Sequence, residues 1–454
     1  MGDELFDAIV IGAGNAGLAA AGVLRGAGRT VLVIEARELG GTCPLRGCVP
    51  KKVLVAAAEA LDTIARAAEL GIRVDGVHAD WSRVIDRQTA IIAGTSEAIE
   101  GDLVRRGVTL VRGAARFIGP DRVAVADRVA SAGRVLIATG SRPRPLTLPG
   151  GDLVTMSDAL LTLRAPPRSL VFIGAGVIAF ELGHVFARLG TRVTMLEVAP
   201  RPLGMIDQDA VAELVRASAE IGITLHTGVT LECIVQTDEG LRVDYGVDGT
   251  RQSVIAERVG HGAGRVADLD GLDLAAGEVR VERGAVVIGS ASGAGASPFQ
   301  SVSNARVFVA GDALAGTPQL SPVATYEGRL VARAMLGEEV NADYTALPSC
   351  VFSVPTLASV GLSEAAAKAR GMAPEVKLND MTSWRSGRTY AERHAWAKVL
   401  VLDDRIIGAH LVGHGAAETI HPLALAMKHG IRASELKDFV WAYPSFSSDL
   451  KYLL

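Results

Sequence analysis

Apolar residues along the chain fall into short runs that end at glycine-rich turns, and the first run lies almost at the N-terminus. The run Ala8-Ile9-Val10-Ile11 leads into Gly12-Ala13-Gly14-Asn15-Ala16-Gly17, and an apolar stretch follows from Leu18 to Gly26. The next run, Thr30-Val31-Leu32-Val33-Ile34, ends at Glu35. Short apolar runs bounded by turn residues are typical of buried strands. We therefore expect a strand, a tight turn, a helix and a second strand, in this order.

The same order of elements returns in the middle of the chain. The strand Leu170-Val171-Phe172-Ile173 precedes Gly174-Ala175-Gly176-Val177-Ile178-Ala179, and a predicted helix runs through Leu189. The strand Arg192-Val193-Thr194-Met195-Leu196 then ends at Glu197. In both copies the acidic residue follows the first glycine by 23 positions. A single Gly-x-Gly-x-x-Gly motif is weak, but two in the same frame predict two dinucleotide-binding units.

Three small residues and one acid in each copy carry the predicted binding chemistry. The first glycine makes the tight turn, the second lets the backbone approach a pyrophosphate, and the third small residue lets the helix pack closely on the strand. The pyrophosphate rests on the helix N-terminus, and the acid accepts hydrogen bonds from ribose hydroxyls. These positions are Gly12, Gly14, Gly17 and Glu35 in the first copy, and Gly174, Gly176, Ala179 and Glu197 in the second.

Two cysteines follow the first copy in Gly40-Gly41-Thr42-Cys43-Pro44-Leu45-Arg46-Gly47-Cys48-Val49-Pro50-Lys51. This placement puts a candidate redox-active thiol pair beside a bound dinucleotide. With only four cysteines in the chain, a disulfide framework is excluded. No paired-histidine or Cys-x-x-Cys spacing indicates zinc, so no metal site is expected. Cys233 and Cys350 lie in strand-like stretches and are interpreted as core residues.

Composition and charge narrow the class of protein. The 454 residues predict two to four domains, and 49% hydrophobic with 21% charged residues is typical of a folded globular chain. A net charge of −4 gives no reason to expect nucleic acid or an anionic membrane as partner. No long apolar run indicates a membrane span, and the first six residues are too short and acidic for a signal peptide. We expect a cytoplasmic location.

Two dinucleotide units suggest a resident flavin and a visiting nicotinamide. The predicted fold class is α/β, with two Rossmann-like dinucleotide-binding domains and a C-terminal α+β domain. The strand Arg134–Ile137 with Ala138-Thr139-Gly140, and Val307–Ala310 with Gly311-Asp312, indicate that the flavin domain is interrupted. Asp312 is placed to bind a ribityl hydroxyl. We predict a flavin domain over 1–145 and 266–340, a nicotinamide domain over 146–265, and the C-terminal domain over 341–454.

These motifs resemble the pyridine nucleotide–disulfide oxidoreductases, which include glutathione reductase, dihydrolipoamide dehydrogenase and mercuric reductase. The resemblance extends through Leu320-Ser321-Pro322-Val323-Ala324 and Val360-Gly361-Leu362-Ser363-Glu364, and covers essentially the whole chain. It implies an FAD-bound homodimer whose C-terminal domain is the dimerisation domain and contributes to the partner's active site. Gly41, Thr42, Thr139, Gly140 and Gly264 are further expected cofactor-binding residues.

The resemblance also implies a path for electrons. NAD(P)H reduces the flavin, and the flavin reduces a Cys43–Cys48 disulfide. Cys48 is then the thiol beside the flavin and Cys43 the thiol that exchanges with substrate, while Lys51 and Glu181 form a pair beside the flavin. The helix expected after Thr42 would lower the pKa of a thiol near its N-terminus, and Lys51 and Arg46 would lower it further. Arg46 is alternatively a recruiter of an acidic substrate or a solvated surface residue.

The C-terminal segment departs from the family. Family members carry His-Pro-Thr followed by Glu, whereas this chain has Tyr443-Pro444-Ser445, with Ser448 at the Glu position and Asp449 next to it. A tyrosine has an ordinary pKa of about 10 and a histidine about 6.5, so a tyrosine is poorly matched to proton cycling near neutrality. Tyr443 either donates a proton to a leaving thiolate or fills space, and His421 or His429 is an alternative donor.

The leading hypothesis is an FAD-dependent NAD(P)H:disulfide oxidoreductase that reduces an unusual small disulfide. The alternatives are a flavin-dependent dithiol oxidase, a reductive-cleavage enzyme with an altered proton relay, and a non-catalytic flavoprotein. Glu197 favours NADH, because a carboxylate repels a 2′-phosphate, while Arg192 and Arg201 leave NADPH possible. The identity of the substrate and the direction of electron flow stay open at this point.

Overall fold

The computed structural model describes residues 4–289 and 297–454. The chain divides into two compact units, each made of three segments. The first unit contains Met1–Pro50, Thr89–Arg144 and Arg265–Asp343, and the second contains Lys51–Gln88, Pro145–Gly264 and Tyr344–Leu454. The domain boundaries predicted from the sequence stay a prediction.

The described chain contains both strands and helices. The strands are β1 (Glu4–Ile11), β2 (Val31–Glu35), β3 (Thr109–Arg112), β4 (Ala115–Gly119), β5 (Arg122–Val125), β6 (Arg128–Ile137), β7 (Ser141–Pro143), β8 (Ser169–Ile173), β9 (Arg192–Glu197), β10 (Thr224–Thr227), β11 (Thr230–Thr237), β12 (Gly240–Val247), β13 (Thr250–Ala256), β14 (Arg258–His261), β15 (Arg265–Ala267), β16 (Val281–Glu282), β17 (Ala285–Val286), β18 (Val307–Val309), β19 (Ser349–Val351), β20 (Thr356–Gly361), β21 (Glu375–Asp380), β22 (Trp396–Leu402) and β23 (Arg405–Gly413). The α-helices are α1 (Asn15–Gly26), α2 (Thr42–Arg46), α3 (Cys48–Ala65), α4 (Trp81–Ile92), α5 (Thr95–Arg105), α6 (Ser157–Leu160), α7 (Val177–Arg188), α8 (Gln208–Glu220), α9 (Ser321–Met335), α10 (Glu364–Ala369), α11 (Arg385–Thr389), α12 (Ala416–His429), α13 (Ala433–Asp438) and α14 (Leu450–Leu453). Short 3₁₀ helices lie at Ala67–Leu70, Gly151–Leu153, Gly311–Ala313 and Phe446–Asp449.

The first unit is built on a sheet in the order β3-β2-β1-β6-β5-β4, with β18 also paired to β6. Strands β3, β2, β1, β6 and β18 are parallel neighbours, while β4, β5 and β6 form an antiparallel meander. The last four residues of β1 are all buried, as expected for a strand covered on both faces. β1 begins earlier than the predicted Ala8, because Glu4 to Phe6 pair with Ala130 to Ala132 of β6.

The second unit contains three sheets. A parallel sheet in the order β10-β9-β8-β14 repeats the plan of the first unit, and β11-β12-β13 is an antiparallel sheet. The antiparallel sheet β19-β20-β23-β22-β21 carries α12 packed on β20 and β23. This arrangement confirms the predicted α/β class with a C-terminal α+β portion. In the described part of the chain, no helix has both the length and the apolar character needed to cross a membrane.

Helices α1 and α9 of the first unit cross at very short distance. A Cβ atom on Gly328 of α9 would lie 2.2 Å from the carbonyl oxygen of Ala16 in α1. Such a distance is impossible for real atoms, so any larger residue at 328 would push the two helices apart. The crossing therefore fixes the N-terminal ends of α1 and α9 relative to each other.

A buried histidine ties α8 to the segment before β22 in the second unit. His394 is 7% exposed, and its Nδ1 lies 2.8 Å from Glu213 Oε1 while its Nε2 lies 3.0 Å from Glu220 Oε2. Burial lowers the pKa of His394, but the hydrogen bonds to Glu213 and Glu220 outweigh it and the net direction is upward. Because both ring nitrogens face carboxylates, the imidazolium form satisfies both contacts.

Replacing His394 with glutamine is expected to destabilise the protein in a pH-dependent way. A histidine whose folded pKa is raised contributes stability fully below the unfolded pKa of about 6.5, and the contribution is lost as pH rises through the folded pKa. We expect His394→Gln to lower the free energy of unfolding by about 1.5–3 kcal/mol near pH 6. The deficit should shrink on going to alkaline pH.

Thermal unfolding measured from pH 6 to pH 9 tests this expectation. The exposed His429 of α12 provides the matched control, and His429→Gln should follow the wild-type pH profile. A deficit for His394→Gln that stays constant or grows with pH would contradict the protonated bridge.

Candidate active site

The first glycine turn has the backbone geometry that its motif predicts. Gly12 has φ +105°, and a Cβ there would lie 2.3 Å from the Ala138 carbonyl oxygen. A Cβ on Gly17 would lie 1.9 Å from the Gly12 carbonyl oxygen. Glu35 accepts hydrogen bonds from the N–H groups of Ala13 at 2.7 Å and Arg37 at 2.8 Å. The carboxylate thus holds the turn and retains lone pairs for further donors.

The second glycine turn repeats this geometry in the second unit. Gly174 has φ +91°, and a Cβ there would lie 2.6 Å from the Gly262 carbonyl oxygen. Glu197 accepts hydrogen bonds from the N–H groups of Ala175 at 2.7 Å and Ala199 at 2.9 Å. The two acids predicted from the sequence therefore occupy equivalent positions.

The helices that follow the two turns present their N-termini without side-chain caps. α1 begins after Gly14 and α7 begins after Gly176, and neither glycine has a side chain to satisfy the first-turn N–H groups. Ala179 in the first turn of α7 is completely buried, and a Cβ on Gly262 would lie 3.0 Å from the Ala179 Cβ. A pyrophosphate suits both helix ends.

The other predicted cofactor residues of the first unit lie in two loops. A Cβ on Gly41 would lie 2.9 Å from the Cα of Gly14, so the loop that leads into Thr42 and α2 lies against the first glycine turn. Thr139 Oγ1 is shielded from solvent and has no hydrogen-bond partner among the described residues. The next residue, Gly140, has φ +77° and open space around its Cα.

The Gly-Asp pair after β18 is held from both sides. Gly311 has φ +68°, and its N–H donates to the fully buried Glu327 at 2.7 Å. Asp312 accepts a hydrogen bond from Ser141 Oγ at 2.9 Å. Together with the glycine turn, Glu35 and the unpartnered Thr139 hydroxyl, these residues fit FAD. In the second unit, Gly264 (φ +88°) has open space around it, beside the turn that carries Gly174.

The cysteine segment folds into two consecutive helices instead of one. α2 carries Cys43, Gly47 interrupts the helix, and α3 begins at Cys48. A Cβ on Gly47 would lie 3.0 Å from the Thr42 carbonyl oxygen, so the chain turns there at close range. The helix expected after Thr42 is present, but its interruption was not predicted.

The two sulfurs share a hydrogen bond. Cys43 is half-buried and Cys48 is exposed. A side-chain hydrogen bond with Cys48 raises the pKa of the Cys43 thiol, burial raises it further, and hydrogen bonds from Ser321 and Asn15 act in the opposite direction. The lowered thiol pKa expected from the sequence is therefore wrong for Cys43. The pair keeps one of its two protons tightly, because removing the second would place two negative charges side by side.

Neither cation expected to act on the thiols is isolated. Arg46 pairs with Glu38, so its charge is balanced on the spot. Lys51 Nζ lies 2.7 Å from Glu181 Oε1, with side-chain exposures of 13% and 8%, and 4.2 Å from the centre of the Phe352 ring. Glu181 Oε1 also accepts the Phe352 N–H at 2.8 Å. The predicted Lys51–Glu181 pair is thus present as a buried ion pair.

Tyr443 and its neighbours lie in the C-terminal segment of the second unit. Tyr443 is 60% exposed, with Lys451 Nζ 5.9 Å from its ring centre. Ser448 is buried, and its Oγ donates to the Ser445 carbonyl oxygen at 2.6 Å. The same Oγ accepts the Ser445 N–H at 3.3 Å, which makes Ser448 a local cap. Asp449 is 7% exposed, and burial raises its pKa.

The remaining histidines and cysteines singled out in the sequence lie at exposed or half-buried positions. His421 and His429 are both exposed on α12. Cys233 and Cys350 are on strands but half-buried, so they are not core residues in the full sense. Burial raises the pKa of Cys350 to about 11.

Sequence reasoning missed the contact of Asn15 and Ser321 with the cysteine pair. Asn15 Nδ2 donates to Ser321 Oγ at 2.8 Å, and the Cys48 thiol donates to the same oxygen at 3.8 Å. The signal available in the sequence was a polar amide placed between the glycines of the first motif, and Ser321 within the Leu320–Ala324 run.

Comparisons with known proteins agree with this geometry. Residues 6–328 match the family described as pyridine nucleotide-disulphide oxidoreductase, and residues 347–453 match its dimerisation domain. The chain is 31% identical over 451 residues to dihydrolipoyl dehydrogenase of Staphylococcus aureus, covering 97% of this chain and 94% of that protein. It is 30% identical over 461 residues to mercuric reductase of Bacillus cereus, covering 99% of this chain and 71% of that protein.

A solved structure shows the same fold. The HOCl-induced flavoprotein disulfide reductase RclA from Escherichia coli superposes with a TM-score of 0.86 at 24% identity, and 98% of each chain is covered. Because the two family matches follow one another along nearly the whole sequence, the chain belongs to the pyridine nucleotide-disulphide oxidoreductases and is an FAD-dependent enzyme that uses NAD(P)H and acts on sulfur.

Proposed function

We propose that this enzyme reduces a small disulfide with the Cys43–Cys48 pair, using electrons from NADH. The observation that carries the proposal is the hydrogen-bonded thiol pair on α2 and α3. The loop leading into α2 lies against the Gly12–Gly17 turn of the same unit. FAD, when bound, would supply the transfer of an electron pair from the nicotinamide to these sulfurs.

The cysteines complete the reaction by two thiol–disulfide exchanges. The Cys43 thiolate attacks the substrate disulfide, a Cys43–substrate disulfide forms, and one substrate thiolate leaves and takes a proton. The Cys48 thiolate then attacks Cys43, which releases the second substrate thiol and forms the Cys43–Cys48 disulfide. One substrate disulfide has gained two electrons and two protons, and the pair has lost the same electrons.

Lys51 and Glu181 are proposed to hold the first turn of α3, which begins at Cys48. Lys51 is the fourth residue of α3, and its ammonium is fixed by Glu181 and by the Phe352 ring. A fixed first turn limits the positions that Cys48 can adopt. The ion pair is therefore proposed to position Cys48.

The surroundings of Glu197 support NADH over NADPH. Arg201 donates to the carbonyl oxygens of Ile206 and Gly204, so its guanidinium is hydrogen-bonded within its own loop. Arg192 is at the opposite end of β9 from Glu197, about 16 Å away at the usual rise per residue. A 2′-phosphate at Glu197 would therefore meet the like charge of a carboxylate.

The C-terminal domain is proposed to form a homodimer in which Tyr443 takes part in the partner's active site. The match of residues 347–453 to a dimerisation domain supports the homodimer. Exposure of 60% leaves Tyr443 accessible, and its hydroxyl is proposed as proton donor to the leaving thiolate. The rate of disulfide reduction by Tyr443→Phe measures that contribution, and an unchanged rate and pH profile would contradict it.

Replacing either active-site cysteine should abolish disulfide reduction. We expect Cys43→Ser and Cys48→Ser to lower kcat/KM for small disulfides by at least about 10³, since each serine removes one of the two exchanges. Cys233→Ser is the matched control and should stay within about twofold. The measurement is NADH oxidation coupled to thiol release across a panel of small disulfides.

The outcome also separates the competing functions. Oxygen uptake with a dithiol substrate, together with no disulfide reduction, would contradict the proposed reductase and indicate a dithiol oxidase. Full activity of Cys43→Ser would exclude thiol exchange altogether.

Neighbouring lysines of α3 should differ sharply in their effect on stability. Lys51→Met leaves the buried Glu181 without its cation, and breaking such a pair costs about 3–5 kcal/mol. Lys52 is 47% exposed and pairs with Glu59, and Lys52→Met should cost less than about 1 kcal/mol. Urea unfolding of both variants with FAD bound provides the comparison; equal midpoints would contradict the anchoring role.

Removing the charge of Glu197 should weaken discrimination between the two nicotinamides. Wild-type enzyme is expected to prefer NADH, and Glu197→Gln should shift the ratio of kcat/KM values toward NADPH by about tenfold or more, because like-charge repulsion is lost. The exposed Glu239 supplies the control, Glu239→Gln. A wild-type preference for NADPH, or an unchanged ratio in Glu197→Gln, would refute this assignment.

A further inference from the structure

Two side chains from distant parts of the sequence meet beside the cysteine pair. Asn15 is the first residue of α1 and Ser321 the first residue of α9. Asn15 Nδ2 donates to Ser321 Oγ at 2.8 Å and also lies 3.3 Å from the Ser321 carbonyl oxygen. The Cys48 thiol is 3.8 Å from the same hydroxyl oxygen. The three groups form a continuous chain from amide to hydroxyl to sulfur.

A serine hydroxyl has one hydrogen to donate and two lone pairs to accept. The Asn15 amide occupies one lone pair of Ser321. What remains for Cys48 is the second lone pair when the sulfur carries a proton, and the hydroxyl hydrogen when it does not. The contact therefore persists in both protonation states of the sulfur, and it favours the thiolate because hydrogen bonds to an ionised group are the stronger ones.

We propose that the Asn15 amide orients the Ser321 hydroxyl toward the cysteine pair and thereby stabilises its thiolate, which makes Asn15 a positioning residue. The proposal rests on the proposed disulfide reduction. Ser321 contacts the Cys48 sulfur directly, and Asn15 acts on Cys48 through Ser321. Asn15 also forms a hydrogen bond with Cys43, the other sulfur of the pair.

The groups that can stabilise the thiolate of the cysteine pair are neutral hydrogen-bond donors. Hydrogen bonds from Ser321 and from Asn15 both lower the pKa of the Cys43 thiol, against the effects of Cys48 and of burial. The charged residues of the same segment are already engaged, Arg46 with Glu38 and Lys51 with Glu181. Amide and hydroxyl donors are therefore the groups whose loss should move the thiolate equilibrium.

The test is the pH dependence of alkylation of the reduced holoenzyme. After anaerobic reduction with dithiothreitol and desalting, iodoacetamide alkylation of the peptide with Cys43 and Cys48 is followed by mass spectrometry. Only the thiolate reacts, so the rate rises with pH around the apparent pKa of the pair. Ser321→Ala should raise the midpoint of this pH profile by about one pH unit, which corresponds to a tenfold lower alkylation rate on the acid side.

Substitutions at Asn15 separate orientation from space filling. Asn15→Ala should lower the acid-side rate by about threefold to tenfold, because the hydroxyl is no longer held. Asn15→Asp should lower it by more than tenfold, since the new carboxylate accepts the Ser321 hydrogen and adds a negative charge. A less acidic thiol is also a stronger nucleophile once ionised, so the alkaline plateau should rise in each variant. Loosened packing would change the rate in one direction at every pH.

Two variants of α9 are the controls. Ser321→Thr keeps a hydroxyl, so its midpoint should match that of the wild type. Its acid-side rate should stay within about twofold of the wild-type rate. Thr325 lies one turn further along α9, and its hydroxyl donates to the Ser321 carbonyl oxygen; Thr325→Val should leave the midpoint unchanged. FAD content is measured for every variant, and if the Asn15 variants lose FAD, the comparison of Ser321→Ala with Ser321→Thr decides the thiolate role.

The outcomes separate this inference from the function on which it rests. Equal midpoints for Ser321→Ala, Asn15→Asp and Thr325→Val would overturn the positioning role, even in an enzyme that reduces disulfides. If the midpoints shift in an enzyme that reduces no disulfide, the thiolate stabilisation is supported and the proposed function is contradicted.

Discussion

A carboxylate at the end of one strand that accepts a backbone N–H of the neighbouring glycine turn is the interaction on which both glycine turns depend. Glu35 binds Ala13 N and Glu197 binds Ala175 N, each at 2.7 Å. Parallel neighbours such as β1 and β2 end at the same edge of their sheet, so the acid reaches the turn without distortion. Hydrogen bonds to a charged acceptor are strong, and each turn is thereby held in place by the protein itself.

The cysteine site of the first unit is built on that turn. Gly41 approaches Gly14 so closely that a larger residue at 41 would require movement, and the next residues begin the helix that carries Cys43. Asn15 follows Gly14 directly and points its amide at Ser321. A turn predicted only as a phosphate-binding element therefore also supplies a hydrogen bond to the network around the sulfurs.

Local patterns carried most of what the sequence could predict. Strands β1, β2, β8 and β9, both glycine turns and both acids follow from spacing along the chain, because each depends on neighbours within about 25 residues. The contact of Asn15 with Ser321 joins residues 306 positions apart, and no local pattern indicates it. The pairing of Arg46 with Glu38 and the raised pKa of Cys43 could not be predicted from the sequence either. Both depend on which side chain comes closest in the folded protein.

The close crossing of α1 and α9 connects packing to the chemistry of the sulfurs. Asn15 begins α1 and Ser321 begins α9, and the two helices meet where Gly328 leaves no room for a Cβ above Ala16. A hydrogen bond of 2.8 Å between their first residues tolerates only a few tenths of an ångström of displacement before it weakens. A larger residue at 328 would separate the helices, release the Ser321 hydroxyl and weaken its hold on the thiolate. Gly328 touches neither sulfur, yet the distance that it permits sets the geometry on which the proton of the cysteine pair depends.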